Sequence, residues 1–278
     1  MQIIKKELSS LNTSLPIIYV TYNPEEIFYQ NIENLLNQKL EVHVFCNCST
    51  SKKELKLRFN NYEDLNIYSF EKNVGLPRAY NFLIKKLLNL NKKHALIFDQ
   101  DTLIDEIFFK KFTEIHNELS SITNYLAIQI ESKNDSIQFA KQHQNKKKLV
   151  KKKFIINSGA FIYLSNVKKV GFYPEDFFID GVDYWMCMKS KEFGLNIGIY
   201  HGDFGLDHLI GQEDKFLNLF GKKFYYRQYP KTRIKDFFSA HYKLIKISIL
   251  QKDFLSFFFL CRSIGRFILR NMLGRVFK

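Results

Sequence analysis

Ala95-Leu-Ile-Phe-Asp99-Gln-Asp101-Thr102 is a short apolar run that ends in two aspartates separated by one residue. The run is typical of a strand buried in a sheet, and the aspartates lie where that strand would end. Once the chain leaves the sheet, both carboxylates can turn toward one point outside its carboxyl edge. Mg²⁺ is usually held by one or two carboxylates together with substrate phosphates, so the pattern indicates a site for a phosphate-bearing substrate. For a pattern this short, a pair of solvated loop residues is the simpler alternative.

Around this run, apolar segments alternate with helical patterns, as a mostly parallel α/β sheet requires. Strands are predicted at 16–22, 41–46, 65–70 and 95–99, and helices at 24–38, 51–60, 76–90 and 106–119. Residues 124–131 and 154–164 are predicted as further strands, and 177–193 as a helix whose first turn carries Asp180 and Asp183. The lysine-rich run 146–153 is expected to be a solvated loop, with contact to a phosphorylated acceptor as the alternative.

The composition fits one large domain with an appendage. At 278 residues and 46% hydrophobic content, the chain is long enough to bury a substantial core. Of the four cysteines, Cys46 and Cys48 are close in sequence, but Cys187 and Cys261 do not form a second such pair. This spacing argues against a zinc site and against a disulfide framework. The N-terminal residues lack the long apolar core of a signal peptide, so we expect reduced thiols and a cytoplasmic location.

Further motifs occur in a fixed order around the two aspartates. They are Val20-Thr-Tyr22-Asn23-Pro24 and Asn73-Val-Gly75-Leu-Pro77-Arg78-Ala-Tyr-Asn81 before them, and Asn157-Ser-Gly159-Ala160, Phe178-Ile-Asp180-Gly-Val-Asp183-Tyr-Trp-Met-Cys187 and Asp207-His208-Leu-Ile-Gly211 after them. Together these motifs resemble family 2 glycosyltransferases of the GT-A fold, most closely the bacterial rhamnosyltransferase-like branch. The resemblance covers about residues 15–230 and implies a Rossmann-like, mostly parallel central sheet with flanking helices. It implies a catalytic domain at 1–230, with a donor-binding half at about 15–105 and an acceptor and catalytic half at about 106–230.

The resemblance assigns chemistry to the acidic residues. In an inverting glycosyltransferase, an acceptor hydroxyl attacks the anomeric carbon while a diphosphate leaves from the opposite side. A divalent metal, Mg²⁺ or Mn²⁺, is expected on Asp101 with help from Asp99, and His208 is expected near the metal or the diphosphate. Asp183 matches the family's general base. Asp180 is its rival for that role, with a helix N-cap as the structural alternative.

The resemblance also predicts binding residues. The nucleotide-sugar pocket is expected to contain Tyr22, Asn23, Pro24, Asn73, Gly75, Arg78 and Asn81, together with Asp99 and Gln100. Where the family commonly carries an acid that contacts the base or ribose, this chain has Cys46, so base recognition is expected to weaken or to move to Asn47 or Ser49. On the acceptor side we expect Gly159 and Trp185, the latter either as an aromatic platform for a sugar ring or as a core residue.

Positive charge is concentrated at the end of the chain. From residue 215 to 278 there are fifteen Lys and Arg against two acids, which gives +13 of the total +14. Residues 231–278 are rich in Phe and fit one or two amphipathic helices, with Arg262, Arg266 and Arg270 on one face. The apolar stretch 254–261 is too short to span a bilayer, and basic residues among Phe favour an anionic membrane surface. Packing on the catalytic domain or a homodimer contact is the alternative and is compatible with membrane contact; no nucleic-acid recognition motif accompanies the charge.

The resemblance, together with the basic tail, implies a metal-dependent, inverting glycosyltransferase at the cytoplasmic face of a bacterial membrane. It would extend a lipid-linked glycan in surface polysaccharide synthesis, with rhamnose from a dTDP donor ahead of galactose or N-acetylhexosamine from a UDP donor. A catalytically idle glycan-binding or scaffold protein of the same fold is the main alternative, which Cys46 keeps open. A haloacid-dehalogenase-like phosphatase also begins with Asp-x-Asp, but Leu103 stands where that pattern has a hydroxyl residue.

Overall fold

The computed structural model describes residues 15–104, 106–142, 148–208, 215–219 and 222–276. The strands in this part are β1 Ile17–Thr21, β2 Val42–Cys46, β3 Leu65–Ser69, β4 His94–Phe98, β5 Thr102–Ile104, β6 Tyr125–Ile130, β7 Leu149–Lys152, β8 Ala160–Tyr163, β9 Asn196–Tyr200, β10 Leu206–His208, β11 Lys215–Leu219 and β12 Lys222–Tyr226. The helices are α1 Glu26–Asn37, α2 Ser49–Arg58, α3 Gly75–Asn89, α4 Glu106–Ser121, α5 Lys133–Gln142, α6 Leu164–Lys169, α7 Val182–Glu192, α8 Lys231–Leu250 and α9 Phe254–Val276.

In the described residues, eight strands form one central sheet in the order β3-β2-β1-β4-β8-β6-β9-β7. The first four strands run parallel, β8 is antiparallel to both neighbours, and β7 closes one edge antiparallel to β9. Because parallel strands end at the same edge, the segments that follow β1, β2 and β4 meet there. The sheet thus brings the donor-side motifs and the two aspartates to one edge.

Helices cover both faces of the sheet and bury two apolar clusters. One cluster lies between the sheet and helices α1 and α4, and the other lies between the sheet and helices α3, α7 and α8. Strands β1 and β2 are buried at every position, as continuous apolar runs require in a sheet covered on both faces. The first four predicted strands and helices are confirmed to within two residues at each end.

Two predicted boundaries were wrong. The strand predicted at 154–164 begins only at Ala160, after Gly159 adopts a left-handed conformation with φ +74°. The helix predicted at 177–193 begins at Val182, because Gly181 has φ +75° and occupies the N-cap position. Asp180 therefore lies outside the first turn, and since no side chain caps this helix, the N-cap interpretation of Asp180 is also wrong.

The lysine-rich run was predicted as a loop, but Leu149–Lys152 forms the edge strand β7. Lysines on an edge strand are common, because their charge discourages pairing with another chain. Residues 146 and 147 lie outside the described part of the chain.

The basic tail forms two long helices, as its amphipathic pattern predicts. Helix α8 contributes Ala240 and Leu244 to the second apolar cluster, and α9 contributes Leu260. Phe237 of α8 stacks on Phe267 of α9 with ring centroids 3.8 Å apart. No helix in the described ranges is both long enough and apolar enough to cross a membrane.

The two acids of the tail bind back to the catalytic part of the chain. The Asp236 carboxylate accepts the backbone N–H groups of Ile179 and Asp180 at 3.0 and 2.9 Å. Asp253 caps α9 by accepting the Ser256 N–H at 3.1 Å, and it pairs with two lysines, at 2.5 and 3.3 Å. The Asp236 bonds hold α8 against the segment that carries the candidate catalytic acids, and the Asp253 ion pairs hold the start of α9 beside Lys153 and the end of α7.

Candidate active site

The Asp-x-Asp segment forms a tight turn at the carboxyl end of β4. The Thr102 N–H donates to the Asp99 carbonyl at 3.2 Å, which closes the turn. The Ser158 hydroxyl accepts the Asp99 N–H at 3.3 Å and bonds the Thr102 hydroxyl at 2.6 Å. The Gly159 N–H donates to the Ile97 carbonyl at 2.8 Å. The Asn157-Ser-Gly159 motif therefore positions the two aspartates from the chain that enters β8.

Gln100 ties this turn to the end of β1. Its Oε1 accepts the Tyr22 N–H at 2.9 Å and the Thr21 hydroxyl at 3.1 Å. The next residues, Tyr22 and Asn23, are exposed, Pro24 is half-buried, and Asn23 adopts φ +48°, a conformation that Asn tolerates. The loop expected to bind the nucleotide is thus open to solvent beside the aspartates.

Cys46 stands where the family commonly carries an acid, and the residues at the end of β2 show the consequence. The Cys46 side chain lies in the first apolar cluster, and burial raises the pKa of its thiol to about 12. The Asn47 amide accepts the Val74 N–H at 3.0 Å and donates to the Gly75 carbonyl at 3.3 Å, so it positions the turn before α3. Ser49 begins α2 and is exposed, so of the two expected substitutes it is the one with its side chain open to a ligand.

The turn before α3 is bonded to the segment that carries the candidate catalytic acids Asp180 and Asp183. The Asn73 side chain accepts the Gly75 N–H at 2.9 Å, and Gly75 has φ +78°. The Leu76 N–H donates to the Phe178 carbonyl at 2.8 Å. A Cβ on residue 75 would lie 2.6 Å from that carbonyl oxygen, so only glycine permits this close approach.

Arg78 and Asn81 of α3 contact the segment at 173–175. Arg78 pairs with Glu175 at 3.3 Å and is half exposed. The buried Asn81 amide donates to the Tyr173 carbonyl and accepts the Tyr173 N–H, both at 2.9 Å. Asn81 therefore fixes α3 against the chain that leads to the candidate catalytic acids.

A cavity of about 260 Å³ opens between the sheet edge and the tail helices. Its walls include three carboxylates and three residues of α8, namely Asp99, Asp180, Asp183, Arg233, Phe237 and His241. Asp99, expected to help bind the metal, and Asp183, expected to act as the base, thus line the same cavity.

The carboxylates in this cavity hold their protons more tightly than ordinary ones. Burial, and to a lesser extent repulsion from Asp99, raises the pKa of Asp183 to about 7. The Asn157 backbone N–H acts in the opposite direction, because its hydrogen bond stabilises the carboxylate. Burial, followed by repulsion from Asp101, raises the pKa of Asp99 to about 7. A carboxyl with a pKa near 7 is well matched to proton transfer at neutral pH.

Asp180 occupies a different environment from Asp183. Burial raises the pKa of Asp180 to about 6, although the nearby Arg233 guanidinium opposes this and Asp236 adds to it. The Arg233 Nη2 donates to the Asp180 Oδ1 at 2.9 Å. Asp180 is therefore held by a charged partner from the tail, which leaves Asp183 as the better placed proton acceptor of the two.

The remaining expected residues lie around this centre. Strand β10 pairs with β5 and places the backbone of His208 opposite Thr102; the His208 imidazole and Gly211 lie outside the described residues. Gly159 sits against Leu206 of β10, whose Cδ1 would be 2.4 Å from an added Cβ. Trp185 is half-buried and packs against the second apolar cluster, as the core-residue alternative predicts.

Sequence analysis missed the contribution of the tail to the site. Arg233 binds Asp180, and His241 and Ser263 line the cavity, with the His241 Nε2 and the Ser263 hydroxyl 3.1 Å apart. One feature of the sequence could have indicated this contribution. Residues 215–278 contain fifteen basic residues and only two acids, and both acids bond to residues outside the tail. Acids retained in a strongly basic segment are candidates for such anchoring contacts.

Among the described side chains, Asp99 and Asp101 are the expected metal ligands, since the His208 imidazole lies outside the described part. Within the described ranges, no group of three or more His, Cys, Asp or Glu side chains could enclose an ion. Two adjacent carboxylates at an open sheet edge suit Mg²⁺ or Mn²⁺, which complete their coordination with phosphate oxygens and water. The repulsion between these two acids is what a bound cation would relieve. The donor set therefore fits an ion that binds together with a diphosphate.

Comparison with known proteins shows the family of this chain. Residues 17–168 match the family model for glycosyl transferase family 2, and the chain belongs to this family. A curated relative, the dTDP-rhamnosyl transferase RfbF of Shigella flexneri, is 25% identical over 223 residues, which cover 76% of this chain and 73% of that protein. The family predicted from the sequence motifs is thus confirmed.

A solved structure shows the same fold. The crystal structure of S. aureus TarS 1-349 superposes with a TM-score of 0.51 at 16% identity. The match covers 70% of this chain and 60% of that chain, so this protein spans less than two thirds of its solved neighbour. The predicted GT-A fold class is confirmed.

Proposed function

We propose that this family 2 glycosyltransferase moves a sugar from a nucleotide diphosphate donor to a lipid-linked glycan, with inversion at the anomeric carbon. The observation that carries the proposal is the shared cavity of Asp99 and Asp183 at the carboxyl edge of the sheet. Residues of α8 line this cavity, and Gln100, next to Asp99, bonds the open loop after β1. In this proposal the donor binds toward that loop and the acceptor toward the tail.

Asp183 is the proposed general base. As the acceptor oxygen bonds to the anomeric carbon, its proton passes to the Asp183 carboxylate. The bond from the anomeric carbon to the diphosphate oxygen breaks on the opposite face, and its electron pair leaves with the diphosphate. The pKa of about 7 lets Asp183 accept a proton at neutral pH and release it afterwards. Asp180, paired with Arg233, is a positioning residue for this segment.

Asp99 and Asp101 are the proposed ligands of Mg²⁺ or Mn²⁺, with His208 as a further candidate. A divalent ion held by these residues would supply positive charge to stabilise the departing diphosphate. Ser158 and Gln100 hold the turn that presents the two carboxylates. Asp101 is the more exposed of the two acids, so it is the one placed to meet a ligand arriving from solvent.

The donor we favour is dTDP-rhamnose, because the curated relative is named a dTDP-rhamnosyl transferase and aligns over 76% of this chain. UDP-galactose and UDP-N-acetylhexosamine come next. Since the Cys46 side chain is in the core, contacts to the base fall to the exposed residues Tyr22 and Ser49.

The tail at 231–278 is the proposed membrane-associating element, at the cytoplasmic face. Around the turn between α8 and α9, the apolar side chains of Leu250, Phe254, Leu255 and Phe258 are 66–75% exposed. A cluster of exposed apolar residues among basic ones suits the interface of an anionic membrane. Surface polysaccharide synthesis is the pathway class that joins a lipid-linked glycan to such an enzyme.

Ligand-observed NMR with a panel of sugar nucleotides, with and without Mg²⁺ or Mn²⁺, tests the proposal. We expect Mg²⁺-dependent binding of one donor that is lost in Asp101→Ala. Asp64→Ala is the matched control, because Asp64 is also exposed but precedes β3 at the opposite end of the sheet. If the folded wild-type protein bound no donor, the idle glycan-binding or scaffold function would replace this one.

A further inference from the structure

A second cavity adjoins the active-site cavity on the side of the tail. It measures about 340 Å³. Asp180 and Tyr184 line both cavities, so a ligand can extend from one into the other. Four guanidinium side chains line the second cavity, which we call the arginine cleft: Arg233, Arg262, Arg266 and Arg270.

The arginine cleft has a fixed wall. Three of its arginines recur every four residues on α9, which aligns them along one side of the helix at a spacing of about 6 Å. Phe267 between them stacks on Phe237, with centroids 3.8 Å apart. The far end of α9 is held by Asn271, whose Oδ1 accepts the Tyr229 N–H at 3.2 Å, and by Gly274. A Cβ on Gly274 would lie 2.4 Å from the backbone of Arg227, so the helix is packed there without space.

The charge in the arginine cleft is unbalanced. Asp180 is the acid in its described wall, and Arg233 already binds it at 2.9 Å. In the described ranges, no carboxylate lies within ion-pair distance of Arg262, Arg266 or Arg270. Three guanidinium groups around one cavity repel one another and attract an anion.

We propose that the arginine cleft binds the phosphate or diphosphate group that joins the glycan acceptor to its lipid. This inference rests on the proposed function, because it places the acceptor's anionic group beside the base that would activate the acceptor hydroxyl. A guanidinium fork matches two phosphate oxygens at once, which makes arginine suited to this ligand. The diphosphate of the donor has a separate place, since the donor residues follow β1, β2 and β4 and the walls of the cleft come from α7, α8, α9 and the segments beside them.

The surface next to the arginine cleft suits the lipid. Phe258, Leu269 and Met272 are exposed on the neighbouring face of α9. A lipid chain attached to a phosphate in the cleft would therefore meet apolar side chains as it leaves. Because these apolar side chains lie beside the cleft, a lipid phosphate is favoured over a free phosphate as its ligand.

Isothermal titration calorimetry of the full chain tests the inference. Geranyl diphosphate serves as a soluble lipid diphosphate and inorganic pyrophosphate as its free counterpart, both with EDTA so that a metal at Asp99 and Asp101 does not contribute. The variants are Arg266→Gln, Arg266→Lys and the triple Arg262, Arg266 and Arg270→Gln. Arg275→Gln is the matched control, because nine residues beyond Arg266 it points to the opposite side of the same helix.

We expect geranyl diphosphate to bind more tightly than pyrophosphate. Arg266→Gln should raise the Kd for geranyl diphosphate by at least about tenfold. Arg266→Lys should raise it by less, because lysine keeps the charge but cannot bond two phosphate oxygens at once. The triple variant should lose binding, and Arg275→Gln should stay within about twofold of wild type. Equal affinity in the wild type and the triple variant would overturn the inference.

Two further arms separate other occupants. If the arginine variants lost only sedimentation with phosphatidylglycerol-containing vesicles and kept geranyl diphosphate affinity, the cleft would be a surface for bilayer headgroups and the inference would be wrong. If Arg266→Gln weakened Mg²⁺-dependent binding of dTDP-rhamnose tenfold, the arginines would serve the donor, which also contradicts it. A wild type that binds geranyl diphosphate through these arginines but no sugar nucleotide would overturn the proposed function and leave the anion site in place.

Discussion

Gly75→Ala is expected to disturb the contact between the turn before α3 and the segment at 178–183, which carries the proposed base. Gly75 has φ +78°, and this left-handed conformation costs an alanine about 1 kcal/mol. The new Cβ would lie 2.6 Å from the Phe178 carbonyl oxygen, which is about 0.8 Å inside the 3.4 Å at which ordinary contact begins. The segment at 178–183 must then move by a similar distance, and its 2.8 Å bond from the Leu76 N–H is strained or lost. Loss of that bond adds about 1 kcal/mol.

Gly194→Ala separates the contact from the backbone strain. Gly194 also has a positive φ, +67°, but nothing lies within 4 Å of its added Cβ. In urea denaturation we expect the free energy of unfolding to fall by about 1 kcal/mol for Gly194→Ala and by about 2–3 kcal/mol for Gly75→Ala. The difference between the two variants measures the close approach of Phe178.

The same pair tests whether this contact positions the proposed base. A displacement of about 1 Å at a catalytic group can lower the rate by about 100-fold. We therefore expect kcat/KM for donor turnover to fall by about 10- to 100-fold in Gly75→Ala and to stay near the wild-type value in Gly194→Ala. Equal stability loss and equal turnover in the two variants would refute the reasoning.

Three other outcomes are expected. Asp183→Asn should lower turnover by about 10²–10⁴-fold while donor affinity, measured by NMR titration, stays within about twofold. Asp253→Asn should reduce the free energy of unfolding by about 2 kcal/mol near neutral pH, because, against the effect of burial, Lys153, the Ser256 N–H and Lys191 hold the pKa of Asp253 well below its usual range. This stabilisation is present above the ordinary pKa of about 4 and is lost as pH falls below it, so urea titrations of the two proteins should converge in acid. Iodoacetamide at mildly alkaline pH should label the exposed Cys261 in the native protein. Cys46 and Cys187 are buried and have raised pKa values, so they should be labelled only after the chain unfolds. Peptide mass spectrometry would identify the labelled cysteines.

The central sheet could be predicted from the sequence because its information is local. Continuous apolar runs mark β1, β2 and β4, and the acids at the end of β4 mark the edge that carries the site. Helices α1, α3 and α4 carry a periodic apolar face, whereas α2 is mostly polar and has no such face. Where the backbone leaves regular geometry, local pattern was insufficient. Gly181 adopts a left-handed conformation and delays α7, which no apolar periodicity reveals.

The contacts between the tail and the rest of the chain could not be predicted, because their partners are far apart in the sequence. Arg233 and Asp180 are separated by 53 residues, and Lys153 and Asp253 by 100. Charge counting marked the tail as basic but could not say which arginines pair and which face an open cavity. The structure places Arg233 on an acid and leaves three others along the arginine cleft.

Cleavage of dTDP-rhamnose tests the central claim most directly. The assay follows release of dTDP by the purified protein with Mg²⁺ and a lipid-linked glycan fraction, for the wild type and for Asp183→Asn at matched donor occupancy. The account predicts acceptor-dependent release by the wild type that falls by about 10²–10⁴-fold in the variant. Release at the wild-type rate by Asp183→Asn would contradict the assignment of the base and, with it, the proposed chemistry of the shared cavity.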